Sequence, residues 1–409
     1  MDTIDRRSRF DRDIIDLDPA SFFSDQLPGL IERHGHLAAA GFDTLRARPL
    51  TIDVDGFRRT LTRDRETITV TEADIDGAVA VELDRSQFSD WAQQVRTFSA
   101  LASVGELRKA NGSDRQIEVW DALWIALLEG WPVADPDLTF VDRHGAPVDL
   151  ARCFTPDDDA DDVAHFLRQA GYLHLRGWLD PTEMEQVAED MDRALGHYTD
   201  GDGRSWWATV ADGTRRCVRM QHFVEHSSTT AAFLKSDRWN QLRETISGDD
   251  QLIQSPVQGN CIEALIKPLA VAQGVSDIPW HRDCTLGRHA YGCSSTTVGI
   301  SVTPGAETTG LLRVVAGSHR VAMPPVLAYK DSYLPIVALP TQAGDVTVHL
   351  SCTLHEAMPP LTAERKVMYT GFGLEPRPGD DQADPGHKEL RERAARTATQ
   401  PASPLAAGA

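Results

Sequence analysis

The sequence predicts a mainly β fold, an antiparallel sandwich or jelly roll with flanking helices, preceded by a small α+β domain. Beyond residue 200, short apolar segments such as CIEALIKPL and DVTVHLSCTL alternate with turns rich in Gly, Pro and Asp, as in antiparallel β domains. Before residue 150, strand-like and helical patterns are mixed. The 409 residues exceed what one ordinary core accommodates, so at least two domains are expected.

Residues 1–150 are predicted to form the α+β domain. LTIDVDGFRRTLTRDRETITVTE and AVAVELD alternate apolar and polar residues, which is typical of half-buried strands. SQFSDWAQQVRTFSAL and EVWDALWIALLEG have helical spacing instead. The segment ALLEGWPVADPDLTF is faintly similar to a sterol-carrier (SCP2-like) lipid-binding module. The domain is therefore expected to bind lipid or, alternatively, to serve as a dimerisation or lid element.

Residues 151–375 are predicted to form the second domain. The acidic segment PDDDADDV favours the start of a helix that continues through DDVAHFLRQAG, because carboxylates stabilise helix N-termini. YLHLRGW then predicts a strand, and DPTEMEQVAEDMDRAL predicts a helix capped by Asp180. Residues 376–409 lack sustained apolar periodicity and are predicted to be a disordered tail.

Composition limits the class of protein and its partners. The formal net charge of −20 disfavours binding to nucleic acid or anionic lipid. No apolar run approaches the length of a membrane span, and the charged N-terminus is unlike a signal peptide, so a cytoplasmic protein is expected. The six cysteines form no CxxC pair and are expected to be reduced thiols.

The segment IPWHRDCTLG contains the most informative motif, an imidazole and a carboxylate two residues apart. If the motif lies on a strand, His281 and Asp283 point to the same side and can meet one metal ion. His355 in VHLSCTLHEAM is well placed to supply a third ligand from a distant strand. Two histidines and one carboxylate are the ligand set of non-haem Fe(II) oxygenases. Such a set leaves room for a 2-oxo acid and O2.

A basic residue is needed for the far carboxylate of such a 2-oxo acid. Arg365, at the start of the predicted strand KVMYTGFGL, can grip a carboxylate with two parallel hydrogen bonds. Its neighbour Lys366 is a rival for this role.

These motifs, in this order and spacing, resemble the phytanoyl-CoA dioxygenase family over about residues 160–375. The resemblance begins at GYLHLRGWLDPTEMEQV, continues through IKP, WHRD and GLLRVVAGSHR, and ends with AGDVTVHLSCTLHEAMPP and ERKVMYTGF. It implies a double-stranded β-helix, the cupin-like jelly roll. It also implies His281, Asp283 and His355 as the catalytic iron ligands and Arg365 as the 2-oxoglutarate anchor.

The resemblance further implies an Fe(II)- and 2-oxoglutarate-dependent dioxygenase that oxidises a small molecule with O2 and releases succinate and CO2. Related halogenases replace the carboxylate ligand with a small residue, so the presence of Asp283 favours hydroxylation or another oxidation that begins with hydrogen abstraction. A lipid-like compound or a natural-product intermediate is expected as the substrate, and a homo-oligomer is an open expectation.

Candidate substrate contacts lie in GRSWWATVADGTRRCVRMQHFVEH, because this region usually covers the pocket in the implied architecture. Trp206 and Trp207 could line an apolar wall, and Gln221 or His222 could orient a polar group. Ordinary packing is the alternative for all four. Lys267 in IKP is expected to be structural.

Other functional classes are less well supported. His-Arg-Asp also occurs in protein kinases, but the glycine-rich loop and Asp-Phe-Gly are absent from the sequence. The glycine patterns of Rossmann and P-loop proteins are also absent. The remaining alternative is a non-catalytic jelly-roll protein that binds a small molecule or lipid.

Overall fold

The computed structural model describes residues 13–103, 105–250, 252–254, 262–274, 277–286, 295–330, 332–375 and 377. The α-helices are α1 Pro19–Ser21, α2 Leu27–Thr44, α3 Arg85–Ala92, α4 Phe98–Ser103, α5 Asp114–Glu129, α6 Ala160–Ala170, α7 Pro181–Ala194, α8 Ser228–Phe233, α9 Asp237–Ser247 and α10 Val326–Lys330. The strands are β1 Leu50–Val54, β2 Phe57–Asp64, β3 Thr67–Thr71, β4 Val79–Leu83, β5 Arg108–Asn111, β6 Tyr172–Leu175, β7 Ser205–Val210, β8 Arg215–Met220, β9 Ile253–Gln254, β10 Glu263–Lys267, β11 Val271–Gln273, β12 Thr296–Ser301, β13 Leu312–Val315, β14 Ile336–Leu339, β15 Val346–Leu350, β16 His355–Ala357 and β17 Arg365–Gly373.

The chain forms two compact units. The first comprises residues 1–138, 282–293 and 318–334, and the second comprises 139–281, 294–317 and 335–409. The predicted tail, 376–409, lies outside the described residues apart from residue 377. No helix in the described part of the chain is long and apolar enough to cross a membrane.

The first unit contains a five-stranded sheet in the order β3-β2-β1-β4-β5. Its pairings are antiparallel except for that between β1 and β4. Helix α2 packs against α5. The core is rich in aromatic rings: Trp91 and Trp124 stack with ring centroids 3.8 Å apart, and Phe98 stacks on Trp91 at 4.9 Å. Aromatic side chains bury large areas and so supply much of the stability of a small domain.

The helix expected across SQFSDWAQQVRTFSAL is two helices, α3 and α4. The helical backbone is interrupted at Gln94, whose φ of 59° lies in the left-handed region. An apolar pattern continues across the break because Val95 and Phe98 are buried in the same core. The helix is therefore interrupted although the apolar periodicity of the sequence continues.

The second unit contains a nine-stranded antiparallel sheet in the order β11-β7-β8-β10-β17-β12-β15-β6, with β9 paired to β17, and a three-stranded antiparallel sheet in the order β14-β13-β16. Mostly antiparallel sheets with flanking helices were expected from the sequence. As predicted, Asp180 caps α7 and the acidic segment before α6 begins that helix, with Asp159 as its cap. Gly171 ends α6 with a φ of 87°.

Side chains on successive strand residues alternate between the two faces of the large sheet. One face carries apolar residues such as Ile266, Val298 and Met368, which pack in one core with Phe166 of α6 and Met184 of α7. The opposite face carries buried polar residues, here called the polar face. Its members are Glu263, Lys267, Ser301, Thr347, His349 and Arg365.

Candidate metal centre

His281 and His355 are brought together by the backbone. Each backbone N–H donates to the carbonyl oxygen of the other residue at 3.0 Å, which forms a single antiparallel bridge. Because residues paired in this way project their side chains to the same side, the imidazole centroids lie only 4.2 Å apart. His355 is 5% exposed and begins β16, which pairs with β13.

Asp283 is positioned by a turn, in contrast to the strand expected for the whole motif. The β pairing stops at His281, and Asp283 begins a 3-10 helix, Asp283–Leu286. Between them, Arg282 is fully buried and donates to Met323 O at 2.5 Å and Ser318 O at 3.0 Å. These charge-assisted hydrogen bonds fix the turn that leads into Asp283.

The three side chains form a cluster suited to a metal ion. One ligand atom from each of His281, Asp283 and His355 lies within 4.8 Å of the other two. The Nδ1 atom of His281 is 2.7 Å from Pro279 O, and that of His355 is 2.9 Å from Thr353 O. A neutral imidazole that donates from Nδ1 presents its lone pair at Nε2. Backbone carbonyls commonly orient metal-binding histidines in this manner.

A third imidazole packs against the cluster. His349 on β15 is 1% exposed, and its ring centroid is 4.0 Å from that of His355. His349 is not part of the group of ligand atoms described above. Its ring therefore supports His355 by packing.

The structure separates the two basic residues that the sequence offers as carboxylate anchors. Arg365 is 2% exposed on the polar face, donates to Gly310 O, and lies so close to Gly305 that a Cβ there would be 3.2 Å from its guanidinium carbon. Lys366 leaves the sheet on the other face and donates to Asp192 at 2.6 Å. Of the two, Arg365 alone is on the polar face.

Gly310 has a role that its sequence context does not reveal. The sequence indicates a turn residue, and its φ of 83° agrees with that. Its carbonyl oxygen also holds Arg365, and a Cβ at this position would lie 2.5 Å from Met358 O. A side chain at residue 310 would consequently displace the loop that holds the guanidinium.

Lys267 is a further buried cation. From the sequence it was expected to have only a structural role. It is 2% exposed and stands directly opposite Arg365 in the antiparallel pairing of β10 with β17. Burial lowers the pKa of Lys267 to about 8; nearby Asp277 opposes this shift and Arg365 adds to it. Burial likewise lowers the pKa of Arg365.

Two of the four predicted substrate residues meet in one polar cluster. Arg219 places its guanidinium 4.5 Å from the Trp206 ring centroid and pairs with Glu263, which is fully buried. Gln221 donates to the same carboxylate at 3.3 Å. Trp206 and Gln221 are thus joined through two residues, Arg219 and Glu263, that were not identified from the sequence.

The other two predicted substrate residues lie in different surroundings. Trp207 packs against the apolar core of the second unit, and its Nε1 donates to Ser205 Oγ at 2.9 Å. His222 has a φ of 58°, and its Nδ1 lies 3.6 Å from a carboxylate oxygen of Glu225. Neither side chain joins the cluster around Glu263.

Part of the chain matches a known protein family. Residues 167–368 match the model of the family described as phytanoyl-CoA dioxygenase (PhyH). Over these residues the chain is similar to phytanoyl-CoA dioxygenase domains. This match lies within the range indicated by the sequence motifs. The family match and the donor set of two imidazoles and one carboxylate together support Fe(II) and 2-oxoglutarate as cofactors, as predicted.

Solved structures similar to about half of this chain include three proteins. The non-heme alpha ketoglutarate dependent epimerase SnoN from nogalamycin biosynthesis is 22% identical over 53% of this chain and 80% of its own, with a TM-score of 0.42. AviO1 from Streptomyces viridochromogenes Tue57 is 19% identical over 55% of this chain and 97% of its own, with a TM-score of 0.41. The carbocyclase SnoK from nogalamycin biosynthesis is 16% identical over 56% of this chain and 91% of its own, with a TM-score of 0.40. Another SnoN structure contains Fe3+, alpha ketoglutarate and nogalamycin RO. No curated protein gives a significant match to the chain.

Proposed function

We propose that the domain similar to phytanoyl-CoA dioxygenases is an Fe(II)- and 2-oxoglutarate-dependent dioxygenase. It hydroxylates a small molecule, or oxidises it in another way that begins with hydrogen abstraction, and releases succinate and CO2. The observation that carries this proposal is the convergence of the ligand atoms of His281, Asp283 and His355 within 4.8 Å.

In this proposal the three side chains bind iron through two Nε2 atoms and one carboxylate oxygen. The backbone contacts at Nδ1 keep each ring in one orientation and one tautomer, which lowers the cost of ordering the ligands. Three protein ligands leave coordination positions for a 2-oxo acid and O2. When bound, the iron couples decarboxylation of 2-oxoglutarate to oxidation of the substrate.

Arg365 binds the distal carboxylate of 2-oxoglutarate in this proposal. A guanidinium has five N–H donors, and Gly310 O accepts from one of them. Its Nε atom is buried and has no hydrogen-bond partner among the described residues. A buried cation with unused donors is suited to a carboxylate, because the paired charges strengthen each hydrogen bond in a site that excludes water.

The sheets of the second unit support the double-stranded β-helix that the family resemblance implies. We assign the polar face of the large sheet and the His355 end of the three-stranded sheet to the interior of this barrel. Trp206 and Gln221, joined through Arg219 and Glu263, then form part of the substrate wall. We assign no substrate contact to Trp207 and His222.

Anaerobic absorbance tests the proposal. Addition of Fe(II) and 2-oxoglutarate to the full chain should produce a weak visible charge-transfer band that is lost in His281→Ala. His144→Ala, in an exposed turn, is the matched control and should retain the band. Absence of the band in folded, iron-loaded wild-type protein would overturn the proposal.

The alternative, a binding protein without turnover, gives a different result in the same samples. On exposure to O2 with candidate substrates, the dioxygenase forms succinate in proportion to oxidised product. A binding protein shows the band and forms no succinate. The role of residues 1–150, the boundaries of the 151–375 domain, the homo-oligomeric state and a cytoplasmic location stay predictions from the sequence.

A further inference from the structure

Two buried cations face each other across neighbouring strands. Lys267, the last residue of β10, pairs directly with Arg365, the first residue of β17. Directly opposed residues project to the same face, with Cβ atoms about 5 Å apart. Each residue is only 2% exposed. Arg365 lowers the pKa of Lys267, so the two positive charges repel each other, and an anion near both would offset that repulsion.

The polar partners of this pair do not balance its charge. Lys267 Nζ forms an ion pair with Asp277 Oδ1 at 3.5 Å, the outer limit of hydrogen bonding, and makes no closer hydrogen bond among the described residues. Arg365 donates to the neutral carbonyl of Gly310. Among the described residues, the carboxylate of Asp277 is therefore the one acidic partner of these two cations. A buried ammonium without a hydrogen bond is costly, so a further anionic oxygen is expected beside it.

We propose that Lys267 is a second anchor for the distal carboxylate of 2-oxoglutarate and acts together with Arg365. This inference rests on the proposed function and extends it to a residue on a different strand. One carboxylate has two oxygens, which can accept from the guanidinium and from the ammonium at once. With the ligand bound, two carboxylates accompany two cations, and the local charge is balanced.

The electrostatics of the site agree with this assignment. Burial, together with Arg365 and against the opposing effect of Asp277, lowers the pKa of Lys267 to about 8. Arrival of a carboxylate would favour the charged form of Lys267. The competing explanation is that Lys267 serves only to hold Asp277, in the segment before His281.

The experiment measures equilibrium binding in the full chain. Anaerobic titration of the Fe(II)-loaded protein, followed by the charge-transfer band, gives Kd for 2-oxoglutarate and for 2-oxopentanoate, which lacks the distal carboxylate. Lys267→Met should raise Kd for 2-oxoglutarate about tenfold to hundredfold, the range expected for loss of a hydrogen bond to a charged group. Its Kd for 2-oxopentanoate should stay within about twofold of wild type.

Lys366→Met is the matched control, since this lysine neighbours Arg365 in sequence but points to Asp192. It should leave both Kd values unchanged. Asp277→Asn tests the competing explanation: a loss of 2-oxoglutarate affinity equal to that of Lys267→Met would overturn the proposal. So would an unchanged Kd for 2-oxoglutarate in Lys267→Met.

Arg365→Met provides a second measurement in case Lys267→Met does not fold. If Lys267 contacts the distal carboxylate, this variant keeps a residual preference for 2-oxoglutarate over 2-oxopentanoate. Complete loss of that preference would overturn the inference while leaving the proposed function intact. Failure of folded, iron-loaded wild-type protein to bind either 2-oxo acid would refute the proposed function itself.

Discussion

His281 and His355 exchange two backbone hydrogen bonds of 3.0 Å, and this single pairing places their imidazoles side by side. The metal site is therefore built on main-chain geometry. Side-chain substitution at either residue should remove a ligand without removing the bridge, because every residue except proline keeps the same N–H and C=O groups.

Loss of a metal ligand should abolish iron binding and turnover while leaving the fold intact. We expect His281→Ala, Asp283→Ala and His355→Ala to reduce bound Fe(II) to below about one tenth of wild type, since structural ligands act together. Metal analysis after anaerobic loading measures this loss, with circular dichroism to check the fold. Full activity in Asp283→Ala would show that the ligand assignment is wrong.

Arg365→Ala should chiefly weaken 2-oxoglutarate binding. Removal of a buried, bidentate cation is expected to raise the 2-oxoglutarate concentration for half-saturation about 30-fold or more, with a smaller effect on iron affinity. The measurement is a titration with 2-oxoglutarate at saturating Fe(II). Lys366→Ala is the control, and an equal effect of both substitutions would contradict the assignment of Arg365.

Arg282→Met should weaken iron binding even though Arg282 is not a ligand. The substitution leaves Met323 O and Ser318 O without their buried donor and releases the turn before Asp283. Loss of such support to a metal ligand typically costs about 10- to 100-fold in affinity. Fe(II) titration tests this expectation. Arg215→Met, which removes an exposed ion pair with Asp200, should bind iron like wild type.

Glu118 in helix α5 should make the free energy of unfolding depend on pH. Burial, together with Asp121 and Asp114, raises the pKa of Glu118 from 4.5 to about 7. The folded state then holds this proton after the unfolded state has released it. Stability therefore falls as pH rises from about 4.5 to 7 and stays lower above that range.

Glu118→Gln removes this loss and should raise Tm at pH 8 by about 3 °C or more, with little change at pH 4.5. Asp114→Asn, which removes one of the neighbouring charges, should give a smaller increase of the same sign. Thermal unfolding followed across this pH range measures both effects. A wild-type pH slope retained in Glu118→Gln would refute the prediction.

Local chemistry made part of the fold predictable. Asp159, Gly171 and Asp180 mark helix ends because short-range capping bonds determine them. The His281–Asp283 spacing is frequent by chance and became informative only together with His355 and Arg365. The matched family range follows from these short motifs taken in order.

Other features depend on contacts that no local pattern encodes. The break at Gln94 leaves apolar periodicity intact, so the sequence suggests one helix where there are two. The role of Lys267 depends on the register that pairs it with Arg365, almost one hundred positions away. Register between distant strands is set by the whole sheet, and a shift of one residue would turn Lys267 to the other face.

The Nδ1 contacts of the two histidines have a consequence for how this protein could diversify or be engineered. Their acceptors are main-chain oxygens of Pro279 and Thr353, which persist when those side chains change. Most side-chain substitutions at residues 279 and 353 should therefore leave the orientation of the His281 and His355 rings unchanged. If Trp206, Gln221 and Glu263 form the substrate wall as proposed, they can vary to suit new substrates while the three proposed metal ligands keep their geometry. Substitutions that change substrate selectivity can therefore leave the orientation of the two histidine ligands unchanged.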